Sequence, residues 1–130
     1  MNLQVGVKLL VKDAQGRYLF LRRSPSFKPG VQRWDIPGGR IEIEEPLDAA
    51  LTREVREETG LKVKASSLIA AQYIFVPEKD IHVVRLTYVG EVEAGEPVLS
   101  DEHSEYRWMT KDDAMKEPLD KYLMEISDSF

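Results

Sequence analysis

Residues 39–61 read GRIEIEEPLDAALTREVREETGL, and the middle of that stretch predicts a helix whose charges lie on the wrong side. Pro46 suits the first position of a helix and Gly60 the residue just past its end, which bounds the element. At about 100° per residue, Leu47, Ala50 and Leu51 fall on one stripe, the face expected to be buried. Carried forward, the stripe meets Glu54, Glu57 and Glu58, while Arg53 and Arg56 lie away from it. Neighbours at i, i+3 and i+4 sit roughly 6 Å apart, where two like charges repel by about 3 kcal/mol at an effective dielectric near 20. A divalent cation is the natural remedy. Oxygen ligands with no His or Cys beside them select a hard ion, Mg2+ first and Mn2+ as a substitute. Glu-rich runs more often mean only a solvated helix end, and taken alone the helix leaves that reading ahead.

On either side of this helix the chain alternates like sheet. Val5, Val7, Leu9 and Val11 predict a strand, Asp13 to Gly16 a turn, and Arg17 to Arg22 the returning partner of a hairpin. Pro25, Pro29 and Gly30 make a loop of residues 24–33, and Trp34 to Ile36 is a short extended piece stopped by Pro37-Gly38-Gly39. After the helix, Leu68 to Val76 and Ile81 to Val92 predict two strands around a turn at residues 77–80, and Tyr106 to Met109 a last short one. Thr110 with Asp113 marks a helix start, and residues 118–127 a further helical segment. The order indicates one α/β domain over residues 1–130, an α/β/α sandwich around a mixed sheet rather than a regular parallel series.

Bulk composition narrows the setting. None of the 130 residues is cysteine, which excludes disulfides and thiolate metal sites and suits a reducing cytoplasm. No apolar run approaches a membrane span, and Met1 to Val5 lacks the character of a secretion signal. A net charge of −5 argues against a broad nucleic-acid-binding face. A phosphate ligand still fits if a metal ion or a local Arg/Lys cluster overturns the sign.

The spacing within residues 39–61 is more specific than the helix. Gly39, five residues, Glu45, seven residues, then Arg53-Glu54-Val55-x-Glu57-Glu58-x-Gly60-Leu61 resembles the Nudix box G-x5-E-x7-R-E-U-x-E-E-x-G-U, with U a bulky aliphatic. All nine fixed positions match over 23 residues, and Pro37-Gly38-Gly39 resembles the family's lead-in. The likeness extends more loosely to the Leu-Arg-Arg before the loop and the Tyr-Arg-Trp near the end. It implies the Nudix fold and hydrolysis of a pyrophosphate linkage by water attack at phosphorus. By the same resemblance, Glu54, Glu57 and Glu58 would hold Mg2+ with a backbone carbonyl near Gly38, Arg53 would orient Glu54, and Glu45 would brace the loop. Gly38 and Gly39 have a separate use, since each allows a close approach that a Cβ would forbid.

Outside the box the readings fork. Arg22 and Arg23 are candidates for binding phosphate, although solvated strand ends would carry the same residues; Lys28 and Arg33 are weaker ones. Trp34 reads as core, as does Tyr73, although Phe27 and Tyr73 are also candidates for stacking on a base. Glu102 and His103 occupy a region where Nudix enzymes carry a catalytic or metal-binding residue. In the similar GDP-mannose mannosyl hydrolase branch, a loop histidine acts as base at carbon. That branch departs from the standard box and this chain does not, so attack at phosphorus is preferred. A non-catalytic nucleotide-binding module is the other alternative, although such modules usually lose box glutamates. Pro77, 16 residues past Leu61, hints at ADP-ribose. A turn explains it equally well, and a compact (d)NTP-hydrolysing enzyme fits the chain too. The implied partner is a small nucleotide, with no nucleic-acid polymer and no membrane. Family members are often homodimers, and no residue here decides that point.

Overall fold

In the computed structural model, which describes residues 2–25 and 32–130, the sheet is built around its first strand. β1 (Asn2–Lys12) runs parallel to β6 (Ile81–Ala94) along its whole length, and β6 pairs antiparallel with β5 (Lys62–Val76). On its other side β1 meets β2 (Tyr18–Arg23) at Lys12 and Tyr18, and β4 (Gly38–Arg40) from Gly6 to Lys8. β2 continues to β3 (Trp34–Asp35) and to β7 (His103–Met109). The sheet is mixed, as the element order predicted.

Alternation along β1 divides the interior in two. Val7, Leu9 and Val11 point to one face and bury against Ala50, Leu51 and Val55 of α1 (Leu47–Thr59). Leu10 points to the other, with Phe20, Trp34 and Ile36, where α2 (Lys111–Ala114) and α3 (Lys121–Glu125) close the core through Ala114, Leu119 and Leu123. Each of the Val, Leu, Ile and Phe side chains among these contributes roughly 1.5–3 kcal/mol by leaving water. The short helices are held by caps. Thr110 accepts from the Asp113 amide, and Asp120 accepts from the amides of Tyr122 and Leu123.

Helix α1 occupies the predicted bounds. It follows Pro46 and ends at Gly60, whose φ of 70° is the left-handed value a C-terminal glycine supplies. The end is tied down further. The amides of Val98 and Ser100 donate to the carbonyls of Thr59 and Glu58, 2.8 and 3.2 Å away.

Several expectations change. Residues 38–40 form a strand, not a stop, because β1 offers them a ladder: Ile41 N–H donates to the Val5 carbonyl and Leu9 N–H to that of Pro37. β5 begins at Lys62, six residues before the predicted start; bulges at Lys62/Val63 and Ala65/Ser67 hide its period. β7 begins at His103, and the last helix is confined to Lys121–Glu125 by its Asp120 cap. Leu47 is 37% exposed, not buried, since the first turn of α1 overhangs the sheet. Tyr73 is likewise not core but 65% exposed, for α1 does not cover that part of β5. Phe27 and Lys28 lie outside the described residues.

Candidate functional site

A cleft of about 1240 Å³ opens beside β1, β4 and the side of α1. Glu54, Glu58, Gly38 and Gly39 line one wall, with Glu102 and Arg23 from the segments around β7 and β2. The cleft exists because β4 has almost no side chains. A Cβ on Gly39 would land inside the Glu54 carboxylate, and one on Gly38 would strike the Val7 carbonyl oxygen.

The helical stripe holds, but its three acids do not share one environment. Glu58 is 7% exposed and takes the Gly38 amide at 3.2 Å; the Glu54 side chain is 15% exposed and that of Glu57 60%. The azimuths explain this. Glu54 and Glu58 lie within about 20° of Leu47, while Glu57 lies about 80° round toward solvent.

Arg53 gathers what faces it. Its Nε and Nη2 grip both Glu45 oxygens at 2.7 and 2.9 Å, and its Nη1 reaches Glu54 at 2.9 Å and Glu57 at 3.4 Å. This bidentate bond to Arg53 holds the Glu45 carboxyl down at about 2. Glu45 in turn accepts the Glu42 amide at 3.0 Å, bracing the loop before the helix.

Burial pushes Glu58 up to about 7, and the neighbouring Glu54 and Glu102 add to the shift against Lys8 and the Gly38 amide. Glu54 is raised as well, chiefly by burial, then by Glu57 and Glu102, despite Arg53. Loss of water is therefore a larger cost than the mutual repulsion that the sequence brings to mind. Among the described residues no three carboxylate or imidazole groups enclose an ion as they stand. Glu57 is on Arg53 and would have to turn. The donor set nevertheless fits a hard dication: oxygen only, two carboxylates short of counter-charge, and a glycine where a side chain would fill the space.

Of the residues singled out beyond the box, Arg23 and Glu102 line the cleft and approach each other at 3.8 Å. Arg22 does not line it. Its guanidinium lies 5.5 Å over the Trp34 ring and bonds Glu105 at 3.3 Å. Trp34 is core at 1% exposure, and Arg33 donates to the Leu119 carbonyl. His103 is absent from the cleft wall and 8% exposed, because the bulge between Arg22 and Arg23 turns it inward at the start of β7. Burial, with Arg23 and Lys8 nearby, depresses its imidazole to about 4, which makes it a poor base at neutral pH.

A second charged group in the cleft escaped the sequence reading. Asp35 accepts from Lys8 at 3.2 Å and from Arg85 at 3.1 Å, and Arg85 also reaches Asp120 at 3.4 Å. Although burial raises Asp35, Lys8 and Arg85 outweigh it and hold the carboxyl at about 2. No signal short of the strand register could have found this cluster, since its members stand at positions 8, 35, 85 and 120.

Known proteins are similar to this chain in sequence and fold. A MutT-like protein of Streptomyces ambofaciens is 26% identical over 125 residues, 96% of this chain and 75% of its own. The NAD-capped RNA hydrolase NudC of Stutzerimonas stutzeri is 32% identical over 123 residues, and this chain spans only 42% of its length. The crystal structure of a MutT protein from Methanosarcina mazei Go1 superimposes with a TM-score of 0.84 at 27% identity, covering 98% of this chain and 91% of that one. The NUDIX domain model matches residues 2–130, so the chain belongs to the Nudix family and is one of its pyrophosphohydrolases.

Proposed function

We propose that this chain, acting as one domain over residues 1–130, hydrolyses the pyrophosphate linkage of a nucleoside diphosphate derivative in a Mg2+-dependent reaction, with water attacking phosphorus. A (d)NTP or a nucleotide sugar such as ADP-ribose is the substrate class. The observation that carries this reading is the wall of the cleft where Glu58 is buried and Glu54 half-buried beside Gly39, with too little positive charge to balance them. Glu54 and Glu58 would hold the ion, joined by Glu57 and by the backbone near Gly38; Mn2+ would substitute. When bound, the ion would neutralise the diphosphate, lower the pKa of a coordinated water and steady the leaving phosphate.

The protein's own groups do the rest. Arg53 keeps Glu54 aimed into the cleft by its 2.9 Å bond and steadies the loop through Glu45. Gly39 lets substrate phosphate approach the backbone. Arg23, on the cleft wall, would pair with phosphate oxygens; Arg22, stacked on Trp34, would support β2 instead. Glu102 faces both buried carboxylates and is assigned the proton released by the attacking water. A cysteine-free chain suits a reducing compartment, and we place it in the cytoplasm.

The test is a panel of (d)NTPs, ADP-ribose, NAD and GDP-sugars, incubated with Mg2+ or Mn2+ in 18O-water. Label in the released phosphate or nucleotide is expected. Label on a sugar carbon would move the reaction to the glycosyl bond. Tight nucleotide binding with no turnover of any compound would make the chain a binding module.

A further inference from the structure

Gly6 stands in the middle of β1, where a glycine weakens a strand. Neither usual reason for one applies. Its φ is not positive, and a Cβ there would meet nothing nearer than the Gly39 carbonyl oxygen at 3.8 Å and Val83 Cγ1 at 4.0 Å. The space left open belongs to the cleft, which Gly6 lines. Glycine at such a place lets another molecule lie close to the backbone.

The strands on either side bring an arginine to this gap. Gly6 is in register with Arg40 on β4 and with Arg85 on β6, and residues in register share a face of the sheet. Arg85 is 7% exposed and gives its two terminal nitrogens to Asp35 and Asp120, which leaves its Nε buried without a partner. Arg40 is exposed. Arg53 holds its backbone carbonyl at 3.2 Å, while among the described residues nothing pairs with its guanidinium. The other cations of the cleft, Lys8, Arg23, Arg53 and Arg85, each face a carboxylate. Lys8 and Arg85 already balance Asp35 and Asp120, so Arg40 is the charge left over on this face.

We propose that the gap over Gly6 is a subsite for a third phosphate, gripped by the Arg40 guanidinium, and that the substrate is therefore a nucleoside triphosphate rather than a nucleotide sugar. The inference rests on hydrolysis of a diphosphate in this cleft and names the group linked to it. Gly6 lies two residues along β1 from Lys8, whose charge acts on Glu58, roughly 7 Å by the rise of a strand. That is the reach of the next phosphate beyond a diphosphate held at the glutamates. A planar guanidinium meets phosphate oxygens two at a time, whereas the hydroxyls of a sugar would leave its charge unmatched. The Arg85 Nε is a second donor on the same face. Glu42 and Glu44, exposed on the loop after Arg40, repel a free anion, so the subsite favours a phosphate already tethered to a bound diphosphate.

Two matched substrate pairs test this: ATP with ADP-ribose, and GTP with GDP-mannose, each sharing a nucleoside diphosphate and differing in the group beyond it. With Mg2+, the wild-type chain is expected to show the higher kcat/KM for the triphosphate of a pair. Arg40→Gln should lower that preference at least about tenfold, mainly through KM. Arg40→Lys, which keeps the charge but not the fork, should recover part of it. Gly6→Ala should raise the triphosphate KM with circular dichroism unchanged, since the added methyl enters the gap and not the core. A wild-type preference for the sugar in both pairs overturns the subsite, as does an Arg40→Gln loss equal on the two members of a pair. Turnover of neither pair would count against the hydrolysis itself, and calorimetry would then read the subsite. Tighter triphosphate binding that is lost in Arg40→Gln would support it, and equal binding of both members would overturn it.

Discussion

Two charged clusters border the cleft, and they are balanced in opposite senses. Around Asp35 two part-buried acids face two cations: Lys8 and Arg85 against Asp35 and Asp120, with Asp35 held at about 2. On the α1 side Arg53 answers Glu45, Glu54 and Glu57, and Glu58 and Glu102 approach from behind, with Glu58 pushed up to about 7. Glu57 and Glu58 also stand in the last turn of the helix, where the helix dipole already makes the field negative. A cluster that neutralises itself stabilises a fold without help. One that does not neutralise itself leaves room for a cation, and on the proposed function this contrast separates scaffold from candidate site.

The largest effect that would break the contrast is on turnover. Glu57→Gln should lower kcat by at least about 100-fold with the fold intact, because a metal-binding group contributes several kcal/mol to the transition state. Steady-state kinetics with circular dichroism checks it, and undiminished activity would sink the metal assignment. The same change should not stabilise the metal-free protein, since it weakens the Arg53 pairing. Asp35→Asn, in the balanced cluster, should instead cost stability, about 3 kcal/mol in urea unfolding, by leaving two buried cations short of a partner.

Proton linkage sharpens the comparison. Glu58 has a folded value near 7 against an ordinary 4.5, so the folded protein binds the proton more tightly. Its effect on stability is therefore worst at high pH. The metal-free protein should lose about 1–2 kcal/mol between pH 5 and pH 7.5, and Glu58→Gln should flatten that slope. Asp35, lowered to about 2, acts in the other direction: its contribution is complete above its unfolded value near 3.8 and is lost only as pH falls toward 2. Thermal melts with and without Mg2+ separate the two. The smallest change is expected at His103→Gln, with turnover within about threefold; a loss of 100-fold or more would restore a base role for that imidazole.

Much of the candidate site was legible because it is local. Pro46, Gly60 and the three glutamates lie on one helix, where 100° steps turn spacing into direction, and the nine-position match added Gly39, Glu45 and Arg53. What lay out of reach was set by register and coverage. The partnership of Lys8, Asp35, Arg85 and Asp120 depends on how β1 aligns with β6 and on where α3 starts. The exposure of Tyr73 depends on how far α1 reaches, which alternation along a strand does not encode. His103 was misplaced by a bulge in the pairing of β2 with β7.

The amides of Val98 and Ser100, bonded to the carbonyls of Thr59 and Glu58, couple the end of α1 to the loop that leads to Glu102. The Pro46 end has no side-chain cap and is held instead through the Arg53 grip on Glu45. A tilt of α1 would therefore pull on the Glu102 loop as well. The wall that carries Glu54 and Glu58 and the wall that carries Glu102 are thus spaced by the same two backbone hydrogen bonds.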